Sequence, residues 1–126
     1  MTPLLCLRIA ALLGALAVAL GAFGAHGLKE RISPEMLTVF EVGVRYHFYH
    51  VLALLGLALA PAAAWDAPLV PYTAWAWGVG ILIFSGSLYV LAITGITKFG
   101  MITPIGGVAF IAGWVMLLLS ARRIVE

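Results

Sequence analysis

Three histidines, His26, His47 and His50, fall in one short stretch of a chain that has few titratable groups of any kind. Histidine titrates near neutral pH, so such a group could relay a proton or contact a polar solute. Tyr46 stands four positions before His50, which makes the two neighbours on one face of a helix. His26, Tyr46 and His50 are therefore the candidate polar cluster of this chain. A metal cage would need a third ligand beside His26 and His50, and Glu41 is the nearest carboxylate in sequence. On a helix, however, Glu41 points roughly opposite the Gly43–His50 face, so no metal site is expected. Glu41 and Arg45, spaced i and i+4 with the acid first, form a candidate ion pair in the favourable order. No nucleophile–base pattern, phosphate loop or cysteine–histidine spacing occurs. The expectation is no catalytic residue, no cofactor and no enzyme.

The elements that hold these residues follow from composition. Of 126 residues, 64% are hydrophobic and 10% are charged, where a soluble domain carries about a quarter charged residues. A short chain leaves much of its surface exposed, so this much apolar surface calls for lipid as solvent. The net charge of +2 is small and scattered, which excludes nucleic acid as a partner. The single cysteine, Cys6, permits no disulfide within the chain.

Crossing a bilayer takes roughly 17–25 mostly apolar residues in a helix. Four stretches qualify: about 4–25, 43–60, 73–95 and 103–121. Backbone groups in lipid must be satisfied within the segment, so these are helices, and no ten-residue alternation suggests a barrel. Ser33-Pro34-Glu35 reads as a helix start, with a hydroxyl cap, proline in the first turn and an acid near the positive end. The second helix is thus expected from Pro34 to Ala60, beginning at the interface. Thr103-Pro104 reads as a similar start for the fourth. Trp65, Trp75, Trp77 and Trp114 fall mainly near the expected helix ends, as an aromatic belt would. The first run ends in small residues like a signal peptide, but Arg8 interrupts it and it is span-length, so it reads as a retained span. Arg8, Arg122 and Arg123 on one side balance Lys29, Arg31 and Lys98 on the other, giving no positive-inside bias. The expected fold is all-α: one transmembrane domain over residues 1–126, a four-helix bundle with an extended second helix.

Small residues mark the packing faces. Ala10, Gly14, Ala17, Gly21 and Gly24 recur at steps of four and three, which is one face of the first helix. In lipid such residues let backbones approach closely. On the second helix Gly43, Tyr46, His50, Ala53, Leu57 and Ala60 share a face, expected to meet the first helix. Gly106 and Gly113 share a side of the fourth. His50 is accordingly expected to be buried and hydrogen-bonded across helices, or to the backbone near His26.

The segments GAFGAHGL (21–28), YHFYHVLALLGLALA (46–60), FSGSLYVLAITG (84–95), TPIGG (103–107) and the later Gly113-Trp114 resemble the YgdD-like family, domain of unknown function 423, to which the transmembrane protein 256 group is related. The likeness covers nearly the whole chain in order. It implies a small four-helix integral protein of the bacterial inner membrane and no particular activity. It selects Gly21, Gly24, His26, Gly27, Tyr46, His50, Gly86, Ser87, Tyr89, Thr103, Pro104, Gly106, Gly107 and Trp114. His47 departs from a glutamine-like residue usual there, and Arg45 from an acidic or neutral one.

Two functions stand as expectations. The first is a structural or accessory membrane subunit whose partners are the bilayer and either a second copy or another membrane protein. The alternative is a small proton or solute conductor using His26, Tyr46 and His50.

Overall fold

Thr2 and Pro3 open the first helix. The Thr2 hydroxyl accepts the Leu5 N–H at 3.2 Å, and Pro3 occupies a first-turn position where its missing N–H costs nothing. The structure, a computed structural model, describes residues 1–125. Helix α1 (Pro3–Phe23) runs on through a π-helical turn, Gly24–Leu28. Ser33 then caps α2 (Pro34–Ala58), accepting the Met36 N–H at 3.2 Å as its sequence requires. A loop with a short 3-10 turn, Ala62–Asp66, leads to α3 (Val70–Gly80). A π-helical turn, Ile81–Ser85, joins α3 without a break to α4 (Gly86–Thr94). Gly95 ends α4 at φ +70°, a left-handed conformation that suits glycine. A second 3-10 turn, Thr97–Met101, precedes α5 (Thr103–Val125).

The described residues are helical, without strands. Three of their helical stretches are long and apolar enough to cross a membrane: Pro3–Leu28, Val70–Thr94 and Thr97–Val125. Helix α2 has the length, but Glu41, Arg45, His47 and His50 dilute its apolar character.

The helices pack in two antiparallel registers. Along α1, Gly14 faces Val51, Gly21 faces Val44 and Gly24 faces Phe40 of α2. Cys6 continues the seam, with its thiol donating to the Leu54 carbonyl at 3.4 Å. The small-residue seam of α1 is thus the one its spacing announces, but the surface it meets is different. Phe40, Val44, His47, Val51 and Leu54 recur at steps of four and three, and this is the face of α2 that turns to α1. Bulky side chains fill the grooves that α1 leaves open, so the expected small-to-small match does not occur. Gly43 turns instead to Leu88 and Tyr89 of α4.

The second register joins α5 to the α3–α4 rod. Phe110 seats on Gly80, the Phe84 backbone lies against Gly106, and Trp77 lies against Gly113. A π turn adds one residue and so rotates the next stretch of helix by about 100°. That rotation lets α3 pack mainly on α5 while α4 packs on α2. Ser85 closes the turn and donates to the Gly43 carbonyl at 2.7 Å, buried between helices. Ser85→Ala should lower stability by about 1 kcal/mol, read as a lower denaturation midpoint in detergent. An unchanged midpoint would show that the bond contributes nothing net.

Two expectations about helix ends are corrected. Thr103 does not cap α5 from outside; it is the helix's first residue, and its hydroxyl pairs with Ser87 at 2.6 Å, tying α5 to α4. Nor are all the tryptophans free to form a belt, although Trp75 is exposed near the start of α3. Trp77 is buried against Gly113, and Trp65 is buried with its N–H on the Leu57 carbonyl at 3.1 Å. Trp114 lies halfway along α5 and serves His50.

Candidate functional site

The second helix turns its two histidines inward on two different faces. His50 is buried, and both ring nitrogens are engaged. Nδ1 is 2.8 Å from the Tyr46 carbonyl, and the Trp114 indole N–H lies 3.1 Å from Nε2. An indole nitrogen can only donate and a carbonyl can only accept. The ring is therefore held neutral, with its hydrogen on Nδ1. Phe110 stacks on it with centroids 3.5 Å apart and planes 7° apart. A second proton, on Nε2, would point at the Trp114 N–H and would require that bond to break.

His47 faces the other way, between α1 and α4. Its Nδ1 is 2.9 Å from the Tyr89 hydroxyl. Its Nε2 is buried with no hydrogen-bond partner. The Leu13 backbone lies against the ring.

The candidate cluster separates on folding. Tyr46 and His50 stay together, with rings 6.5 Å apart and nearly parallel. Tyr46 is itself exposed on the bundle surface and also packs on Phe84 at 4.8 Å. His26 is exposed in the π turn that ends α1. Because Gly24 faces Phe40, His26 is level with the first turns of α2, roughly 12 Å along the axis from Tyr46. His50 does not point toward α1 or His26; its partners are on α5 and within α2. Glu41 and Arg45 are both exposed, and among the described residues they are not joined as an ion pair. Instead they line a shallow cleft with Gly21, Gly24 and Phe40. Among the described residues no three His, Cys, Asp or Glu side chains converge as a metal cage.

Sequence reasoning missed Trp114, Tyr89 and Ser85 as partners of α2. The signal for Trp114 is its place in the middle of an apolar helix, one turn beyond Phe110. Nothing in the sequence marks the π turn that aims Ser85.

The chain matches the model of the family described as "Protein of unknown function (DUF423)" over residues 20–107. It is similar to the UPF0382 membrane protein YwdK of Bacillus subtilis, 46% identical over 108 residues that cover 86% of this chain and 88% of that one. It is 43% identical to the UPF0382 membrane protein SSP2132 of Staphylococcus saprophyticus, across 94% of this chain and all of that protein. It is 38% identical to the UPF0382 inner membrane protein YgdD of Escherichia coli K12, across 98% of this chain and 94% of that one. No solved structure matches. With three membrane-length apolar helices and relatives of this kind along nearly its whole length, the chain belongs to the DUF423 family as a multi-pass protein of the bacterial inner membrane.

Proposed function

We propose that this chain is a non-enzymatic structural or accessory subunit of the membrane, built as a bundle of four spans that associates with a second copy of itself. What carries this reading is that the polar groups at depth are engaged in fastening helices together. His50 joins α2 to α5, His47 joins α2 to α4, Ser85 joins the α3–α4 rod to α2, and Ser87 joins it to α5. Helix α2 serves as the fourth span because its two deep histidines are shielded by protein. Glu41 sits near the helix end, and Arg45, one turn deeper, has a stem long enough to snorkel to the interface. At 25 residues α2 is about 37 Å long, enough to cross the roughly 30 Å hydrocarbon core.

Support for self-association comes from the outer side of the α1–α2 seam. A groove of about 360 Å³ runs there, lined on α1 by Ala11, Gly14, Ala15 and Val18 and on α2 by Phe48 and Leu52. Ala11 and Ala15 are exposed and four apart, which suits close approach of another helix in lipid. Native mass measurement in mild detergent should find a dimer. Ala15→Leu, which fills the groove from an exposed position, should shift the dimer–monomer equilibrium toward monomer at least tenfold without changing the helix content. A wild-type chain that is monomeric at every concentration, without co-purifying membrane proteins, would overturn the reading. Labelling of single cysteines should become efficient between Ala22 and Lys29, where α1 leaves the bilayer. Uniform protection through Glu35 would contradict the span.

A further inference from the structure

Glu41 and Arg45 stand one turn apart on the outer side of α2, in the order that favours an ion pair, yet among the described residues they are not joined. Both instead line a cleft of about 190 Å³ between α1 and α2, with Gly21, Gly24 and Phe40 in its floor and Ala25 at its rim. Two opposite charges, both exposed and both set in one cleft on the lipid-facing side, match a molecule that carries the complementary pair. We infer that this cleft binds the headgroup of a primary-amine phospholipid, with the phosphate on Arg45 and the ammonium on Glu41.

The depth of the cleft fits a lipid headgroup. The α1–α2 register puts Gly24 beside Phe40 and Gly21 beside Val44. Glu41 is therefore level with Gly24, about 13 Å from the middle of the Pro3–Leu28 helix. Arg45, one turn deeper, is level with Leu20, about 7 Å from it. Side chains lean toward the N-terminus of their own helix, which for α2 is the near membrane surface. Both charged ends thus rise toward the edge of the hydrocarbon core, about 15 Å from its centre, where the headgroup layer begins.

The vertical order of the charges selects the headgroup. In a phospholipid the phosphate is joined to glycerol, and an amine headgroup carries its nitrogen beyond the phosphate on an ethylene link. Arg45, the deeper residue, presents a planar fork of N–H donors to phosphate oxygens. Glu41, the outer one, accepts hydrogen bonds from a primary ammonium; a quaternary ammonium has none to donate. A glycerol headgroup would meet Arg45 but bring no positive charge to Glu41. The glycines keep the floor low, and the space exceeds the roughly 150 Å³ that holds a benzene-sized molecule. Lys29, Glu30 and Arg31 lie in the turn beyond and are not part of the lining. The cleft is nearer the interface than the groove at Ala11 and Ala15, and the inference does not rest on self-association.

The test is native mass spectrometry of the full chain in dodecyl maltoside, titrated with an equal mixture of palmitoyl-oleoyl phosphatidylethanolamine and palmitoyl-oleoyl phosphatidylglycerol. The chain should take up the ethanolamine lipid with a preference of about fivefold, the upper end for one exposed charge pair. Glu41→Gln should abolish the preference, and Arg45→Gln should weaken uptake of both lipids. Glu41→Arg combined with Arg45→Glu keeps the net charge but inverts the order, and should also lose the preference. These positions are exposed, so the variants should melt like the wild type. Ala25→Leu, which fills the cleft from an exposed position, should remove the binding. Ala15→Leu should bind the lipid as the wild type does, whatever its effect on self-association. Equal uptake of the two lipids, or a preference that survives the inverted order, would overturn the inference. Loss of the lipid in Ala15→Leu would overturn it, as would displacement by chainless glycerophosphoethanolamine at matched concentration, the mark of a soluble ligand. A wild-type dimer that dissociates on Arg45→Gln would also overturn it, by showing that a second copy holds the pair.

Discussion

Gly106→Ala should separate α5 from the α3–α4 rod. A Cβ at Gly106 would overlap the backbone nitrogen of Phe84 and come within 2.7 Å of its Cα. Backbone cannot rotate aside as a side chain can, so one whole helix must move. Overpacking commonly costs about 1–3 kcal/mol and more where nothing yields, and this site belongs at the upper end. The displacement would also strip Trp77 from Gly113 and Phe110 from Gly80, since all three contacts share one register. Gly107→Ala is the matched control, because its Cβ would meet only the Phe84 ring at 3.8 Å, an ordinary contact. The expected result in detergent is a large loss of thermal stability for Gly106→Ala and almost none for Gly107→Ala. Equal melting curves would show that α5 is not held at this crossing.

The second large effect concerns His50. His50→Leu keeps most of the volume under Phe110 but leaves the Trp114 N–H without an acceptor, at a cost of about 1–3 kcal/mol. His50→Ala has the same orphan and adds a cavity, for a total nearer ~3–5 kcal/mol. The order of stability should be wild type, then leucine, then alanine. His50→Gln, which can accept from the indole, should recover part of the loss. If His50 carried protons instead, all three variants would abolish flux in liposomes while melting like the wild type. Melting temperatures and pH-dependent flux on the same samples separate the two roles.

Much of this architecture is legible in the residues alone. Three of the four expected spans follow from apolar run length, while α2, with Glu41, Arg45 and two histidines, is not apolar enough to count among them; its start follows from Ser33 and Pro34. The seam Ala10–Gly14–Ala17–Gly21–Gly24 follows from helical period alone. Its partner surface does not, because grooves in lipid can be filled by either small or branched residues, and here Phe40, Val44 and Val51 fill them. The candidate site is legible only in part. Sequence spacing joins Tyr46 to His50 because both are on one helix. It cannot say which of the other helices the pair faces, and the pair turns toward α5. Nearness along a hairpin groups His26 with them, but the π turn at Gly24–Leu28 leaves it outside. Both π turns lack a residue signature; they are settled by what each helix must meet on either side.

The polar faces of α2 also set an order for biogenesis. A chain enters the membrane from its N-terminus, and α2 alone carries too many polar groups to partition readily. It can form a hairpin with α1 early, since the Phe40–Val51 contacts and the Cys6–Leu54 bond lie wholly within the first two helices. At that stage His47 and His50 have no partner from another helix. Tyr89 is synthesised next and takes His47; Trp114 comes last and takes His50. Until α5 has emerged, the His50 Nε2 lacks the Trp114 N–H that engages it in the finished fold. A chain truncated before Trp114 would keep His50 without that partner permanently, so the last helix closes the polar interior of the bundle.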